Sequence, residues 1–240
     1  MAGIKRRIYI CAALILFFAG IVLISYPHIK GEQLETQAAE SIVQFVEVKR
    51  AERANTSFSI LYPELYQAMQ DYNRSIYLDK QTDLTEDGIY AEPSFTLSEY
   101  GVETNAIAVL NIPVLDLSMP VYLGANEENM AAGAAHMSNT SLPLGGTNTN
   151  CVIAGHRGYS GADYFKHLDL LKKGDSVQLV TLWNTLNYTV SEIQIIEPYE
   201  VEKILIQDGR ELLTLLTCHP YASGGRYRYL VICERSYETV

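Results

Sequence analysis

The sequence predicts a mainly β domain, a barrel or a sandwich, placed behind an apolar N-terminal helix and a helical connecting region. From about residue 102 onward, short runs of Val, Ile, Leu, Thr and Tyr recur at regular spacing between Pro, Gly and Asn turn residues. Ahead of them, residues 8–26 are apolar and uncharged, and two further segments repeat their apolar residues at helical spacing. A chain of 240 residues accommodates one ordinary domain plus accessory segments. The formal net charge of -10 argues against a nucleic-acid binder. Lys5-Arg6-Arg7 is the one basic run, and no repeat or low-complexity tract is visible.

Taken as a helix, residues 8–26 cover close to the ~30 Å core of a bilayer at about 1.5 Å per residue. A secretory signal has an apolar region of only about 7–15 residues, followed closely by small residues at a cleavage site. Here Tyr26-Pro27-His28-Ile29-Lys30 follows, so the stretch reads as an uncleaved transmembrane anchor. The basic triplet keeps residues 1–7 in the cytoplasm and sends the remainder outside. No second apolar span is expected before the polar end at Val240.

Leu34, Ala38, Ile42, Phe45 and Val46 mark a second helical segment, with Glu32 and Glu35 suited to its N-terminal dipole. A third covers residues 63–78, with Leu65, Met69, Tyr72 and Ile76 on one face and Pro63 in the first turn. Both read as a stalk or cap, with partner binding as the alternative. Residues 79–101 are polar and irregular, with Asp87-Gly88, Glu92-Pro93 and Tyr100-Gly101 as turn signals. An open connecting loop is the plain reading. The domain boundaries are therefore 1–7, 8–26, 27–101 and 102–240.

In the C-terminal domain, Ala106–Ile112 and Leu117–Leu123 read as strands around a turn at Pro113. Residues 129–136 read as a short helix, and 140–150 as a polar, Gly-rich loop. A strand then ends at His156. Residues 162–171 read as helical. Residues 176–182 and 186–197 form a hairpin across Trp183-Asn184-Thr185, and 211–218 and 226–234 are the last two strands.

Three strand ends carry chemistry. The run Leu212-Leu213-Thr214-Leu215-Leu216-Thr217 ends on Cys218, before a Pro220-Tyr221 turn. Cys151-Val152-Ile153-Ala154-Gly155 ends on His156, and the last strand begins with Arg226 and Arg228. A thiol, an imidazole and a guanidinium at neighbouring strand ends supply a nucleophile, a proton carrier and an oxyanion partner. Taken alone, a strand-end cysteine is more often a small buried hydrophobe. No Cys/His cluster has metal-ligand spacing and no phosphate loop leads from a strand into a helix, so no cofactor, metal or nucleotide is called for. Cys151 and Cys233 are either a disulfide or two buried thiols, and Cys11 lies in the apolar span.

These residues also resemble a known family. Thr214-Leu215-Leu216-Thr217-Cys218 resembles the Thr-Leu-x-Thr-Cys signature of sortases, Ala154-Gly155-His156-Arg157-Gly158 their histidine segment, and Arg228-Tyr229-Leu230-Val231 the strand carrying their arginine. The resemblance runs from about residue 72 to 234. It is nearest to class C, the pilin polymerases, through residues 105–122, Gly133-Ala134-Ala135-His136 and Ser141-Leu142-Pro143-Leu144-Gly145-Gly146. It implies a closed eight-stranded barrel with Cys218 as nucleophile, His156 as base and Arg228 as oxyanion partner. Arg226, two residues earlier and on the same face, is the lesser candidate. Thr217 is implied as a support behind the nucleophile and His136 as a structural, hydrogen-bonded histidine. His28 and His167 are set aside as juxtamembrane and helical, and His219 as a departure from the family's usual threonine. Arg157 and Arg235 read as exposed salt-bridge residues.

The resemblance further implies a membrane-anchored Gram-positive enzyme that cleaves a Leu-Pro-x-Thr-Gly-like sorting signal between Thr and Gly. A secreted protein, a pilin subunit above all, is then the partner, and a pilin lysine the acceptor. Class C lids carry an Asp-Pro-aromatic triplet that is missing here; Glu92-Pro93-Ser94-Phe95 comes nearest. That departure, with the missing second span, leaves a housekeeping or class B-like enzyme using a peptidoglycan amine as the alternative. The short interval from Glu197 to Leu212 argues against class B. A non-catalytic pilus-assembly scaffold on the same fold and a thiol protease that releases product to water are the remaining readings.

Overall fold

The computed structural model describes residues 2–56, 60–85 and 88–237. Its centre is a closed eight-stranded barrel, ordered β1-β2-β3-β4-β7-β8-β6-β5. The strands are β1 (Ala106–Ile112), β2 (Leu117–Leu123), β3 (Ala134–His136), β4 (Thr149–Ala154), β5 (Ser176–Thr181), β6 (Thr185–Ile196), β7 (Glu211–His219) and β8 (Tyr227–Arg235). Closure leaves no free sheet edge. Most neighbours are antiparallel, but β2 with β3 and β4 with β7 run parallel. The β4–β7 pairing lays two strand ends side by side, which a hairpin meander does not do.

Alternation along each strand divides the apolar residues into two layers. Leu213, Leu215, Val231, Cys151 and Ile153 fill the interior. Val152, Ala154, Ala135 and Leu230 belong to a smaller outer layer, roofed by Ile196, Ile204 and Leu84.

The N-terminal region differs from expectation. The apolar segment expected to be an anchor and the second helical segment form one continuous helix, α1 (Ala2–Asn55), with Pro27 inside it. Proline removes a single intrahelical donor. Tertiary contacts hold the chain beyond it: Leu34, Ala38 and Phe45 are buried, and the helix packs on β1 and β2. Its apolar N-terminal part stands clear of the barrel. At the junction, an added Cβ on Gly31 would lie 2.5 Å from the Gly161 backbone, and one on Gly161 (φ +94) would lie 1.9 Å from the Pro27 carbonyl oxygen. Backbone meets backbone there.

Helix α2 (Pro63–Leu78) buries Leu65, Met69 and Ile76, as its periodicity predicts. Beside it, Trp183 Nε1 donates to Leu61 O at 2.6 Å. The described residues of 79–101 do not form an open loop. Short 3-10 turns at Thr82–Thr85, Ile89–Ala91 and Leu97–Tyr100 dock on the barrel. Tyr72, Phe95 and Tyr100 form an edge-to-face aromatic set, and Ala125 and Ser138 donate backbone N–H bonds to Tyr90 O. Phe95 is anchored here, while Leu84 enters the outer apolar layer.

Two helices predicted in the barrel are corrected. Of residues 129–136, only the first part is helical, in α3 (Glu127–Ala132); Gly133 ends it, and Ala134–His136 pairs with β2 as a strand. Residues 162–171 form turns with a short 3-10 segment at Leu168–Leu170. Tyr164 takes positive φ there, and Phe165 N donates to His156 O at 3.0 Å. Tertiary bonding overrides helix propensity in both places. His167 accordingly sits in a turn, with Nε2 3.3 Å from Asp163.

Candidate active site

In the antiparallel β7–β8 pair, Cys218 stands directly opposite Arg228. Opposed residues of such a pair project from one face, here the outer face that also carries Leu230. Both side chains are half-buried at the barrel end, whereas Arg226 lies before β8 and is exposed. Arg228 Nη1 donates to Gly225 O at 2.7 Å and Tyr227 O at 3.2 Å. A guanidinium carries five donors, so others are left for a substrate oxygen. Gly225, at φ +82, lies against both groups: a Cβ there would stand 3.1 Å from Arg228 Nη1 and 3.2 Å from Cys218 Sγ.

His156 follows the end of β4, and the parallel β4–β7 register brings it beside Cys218. Ala154 pairs with Leu216, and Gly155 N donates to Leu216 O at 3.1 Å. The buried Thr217 hydroxyl donates to Gly155 O at 2.7 Å. The residue before the thiol is thus bonded to the residue before the imidazole. The His156 ring stacks on Tyr159 with centroids 4.6 Å apart, and Tyr159 stacks on Tyr164. His156 Nε2 is buried without a partner among the described residues. Burial holds the imidazole below its ordinary pKa, partly offset by the Glu127 carboxylate. The neutral ring this favours is the form that takes a proton from a thiol.

Arg157 is a further correction: its side chain is 5% exposed. Nη2 pairs with Asp169 Oδ2 at 2.6 Å, Nη1 meets His219 Nδ1 at 2.5 Å, and the guanidinium lies over Tyr229. Arg235 is also partly buried, paired with the buried Glu211 at 3.1 Å. No signal along the chain links Arg157 with Asp169 or His219, so the sequence reading missed this group.

His136 is fully buried in β3, with Nε2 3.0 Å from Ser141 O and 3.2 Å from Thr140 Oγ1. Burial lowers its pKa to about 4. Cys151 and Cys233 are free, buried thiols on either side of Leu213, in the barrel interior away from Cys218. Burial raises the pKa of both, which makes them poor nucleophiles.

The sortase domain family matches residues 110–236, which span β2 to β8 and hold Cys218, His156 and Arg228. The chain belongs to the sortase family. Sortase A of Bacillus anthracis is 29% identical over 95% of this chain and 94% of its own length. Sortase D of Bacillus subtilis is 26% identical over 54% of the chain and 64% of its own. Among solved structures, sortase C1 of GBS pilus island 1 superposes with a TM-score of 0.74 at 26% identity, covering 85% of this chain and all of that one. A mutant of sortase C-1 from S. pneumoniae gives 0.70 at 28% identity, over 82% and 98%. Members of this family are cysteine transpeptidases, and this sortase is one.

In this sortase the ends of β4, β7 and β8 lie side by side, and Thr217, the residue before Cys218, is bonded to Gly155, the residue before His156.

Proposed function

We propose that this sortase is held in the membrane by residues 8–26 with its barrel outside the cell, and that it processes Leu-Pro-x-Thr-Gly-like sorting signals on secreted proteins. His156 takes the Cys218 proton, and the thiolate attacks the Thr carbonyl carbon. The developing oxyanion accepts hydrogen bonds from Arg228. The Thr–Gly bond breaks, the leaving amine takes the proton from His156, and a thioester to Cys218 remains. An incoming amine then attacks that thioester, gives up a proton to His156 and restores the thiol. A pilin lysine is the proposed acceptor, which makes the enzyme a pilus polymerase; Thr217 and His136 support the site without reacting.

The observation that carries this reading is the pairing of Cys218 with Arg228 across β7–β8, with Gly155, the residue before His156, bonded alongside to Thr217. The sortases C among the structural neighbours, one from a pilus island, favour the pilin acceptor. A second reading, transfer to a cell-wall amine, is favoured by the near full-length likeness to a relative named sortase A.

The test incubates the full chain in detergent micelles with a Leu-Pro-x-Thr-Gly peptide library and either a lysine-bearing pilin segment or a glycine amine. Mass spectrometry then follows Cys218. A Cys218 thioester that resolves to a lysine isopeptide, and that Cys218→Ala abolishes, is the expected result. Transfer to the glycine amine alone establishes the second reading. No adduct with any peptide refutes both.

A further inference from the structure

Arg157 is a buried cation that the mechanism above does not use. It follows the proposed base His156 directly, and its partner His219 follows the proposed nucleophile Cys218 directly. On the opposite flank, Gly155 and Thr217 are joined by a hydrogen bond. His156 and Cys218 are therefore bracketed: the residues before them are joined to each other, and so are the residues after them. We infer that Arg157, with Asp169 and His219, is the second half of this bracket and sets the position of His156 relative to Cys218. The inference rests on the reading that Cys218 and His156 are the reacting pair.

The geometry suits an arginine specifically. Its planar fork presents Nη2 to Asp169 at 2.6 Å on one side and Nη1 to His219 Nδ1 at 2.5 Å on the other. Nη1 also approaches the Cys218 carbonyl oxygen, at a long 3.5 Å. A lysine ammonium is a point charge without that fork and does not reach both sides in one plane. A guanidinium only donates, so His219 Nδ1 is the acceptor and the ring proton is on Nε2. Tyr229 closes the set: the Arg157 guanidinium lies 5.6 Å from its ring centroid, and His219 stacks on it at 5.5 Å. Tyr229 is the neighbour of Arg228 on β8, so the bracket also reaches the third proposed catalytic strand. Arg157 touches no reacting atom and is a positioning residue.

The experiment compares Arg157→Lys, Asp169→Asn, His219→Leu and His219→Asn in the full chain in detergent micelles. Each is followed by the alkylation rate of Cys218 with iodoacetamide, by kcat and KM for a Leu-Pro-x-Thr-Gly peptide, and by thermal unfolding. Misplacing a catalytic pair by a fraction of an ångström to an ångström costs on the order of tenfold to a hundredfold. Arg157→Lys and His219→Leu should lower both alkylation and kcat by at least about tenfold, with KM within about threefold of wild type. His219→Asn places an amide oxygen where Nδ1 stood and should recover most of that loss. Asp169→Asn, at a half-exposed position, keeps the fold while loosening the hold on Arg157 and should fall in between. The inference is overturned if Arg157→Lys and His219→Leu alkylate at the wild-type rate, or if His219→Asn recovers nothing. A wild-type protein that alkylates readily yet forms no peptide thioester refutes the sorting-signal reading, and the alkylation rates still decide this one.

Discussion

Acidification tests the environment of His136 directly. Its Nε2 lies 3.0 Å from the Ser141 carbonyl, which only accepts, so the ring proton is on Nε2. Nδ1 is buried and has no partner among the described residues, so a second proton enters a site without an acceptor. The folded-state pKa is about 4, against an ordinary value of 6.5. A histidine whose pKa is lowered by folding contributes fully above the unfolded value, and the contribution fades as pH falls toward the folded value. By linkage, the loss between pH 7.5 and pH 4.5 is on the order of 2–3 kcal/mol, at about 1.36 kcal/mol per pKa unit. His136→Gln keeps a donor for Ser141 but does not titrate. Urea unfolding in micelles, followed through the single tryptophan Trp183, should show the variant less stable at pH 7.5. Between pH 7.5 and 4.5 the variant should lose about 2–3 kcal/mol less than wild type does. Equal losses in the two proteins would refute the argument.

Three further outcomes follow from packing and hydrogen bonding. Thr217→Val removes the bond to Gly155 O and should cost about 1–3 kcal/mol in urea unfolding, with kcat falling more than KM rises. Gly225→Ala combines an unfavourable positive φ with a methyl crowded against Cys218 Sγ and Arg228 Nη1. Stability should drop by about 1–2 kcal/mol, and peptide cleavage by about tenfold, measured as kcat/KM. Gly161→Ala drives a methyl into the Pro27 carbonyl. It should push α1 off the loop, seen as faster proteolysis near residue 31 at a cost of about 1–3 kcal/mol.

Most barrel strands were legible as short apolar runs between turn residues, and Ala106–Ile112 and Leu117–Leu123 fall where those runs put them. That Cys218, His156 and Arg228 would lie together was legible in part, because strand ends are visible in a sequence and these three lie at or just past them; the roles proposed for them come from the resemblance to sortases. The errors have a common cause. Ala134-Ala135-His136 has no strand signal of its own and becomes β3 by pairing with β2. Residues 162–171 have helical composition but are held as turns by bonds to the His156 segment. Arg157 reads as a surface cation until the fold brings Asp169 and His219 to it. What depended on contact between distant segments was hidden.

The joint between α1 and the barrel has a mechanical consequence. The apolar run ends at Tyr26, and the backbone contact with Gly161 falls at Pro27 and Gly31, within about 8 Å of helix rise. Gly161 belongs to the same loop as His156 and Tyr159. If residues 8–26 span the bilayer as proposed, there is no slack between anchor and active site. The enzyme then works at a fixed height above the lipid, as a blade does in a planing frame. On that proposal, its substrates would be sorted by how far the cleavable bond stands from the membrane as well as by the residues that flank it.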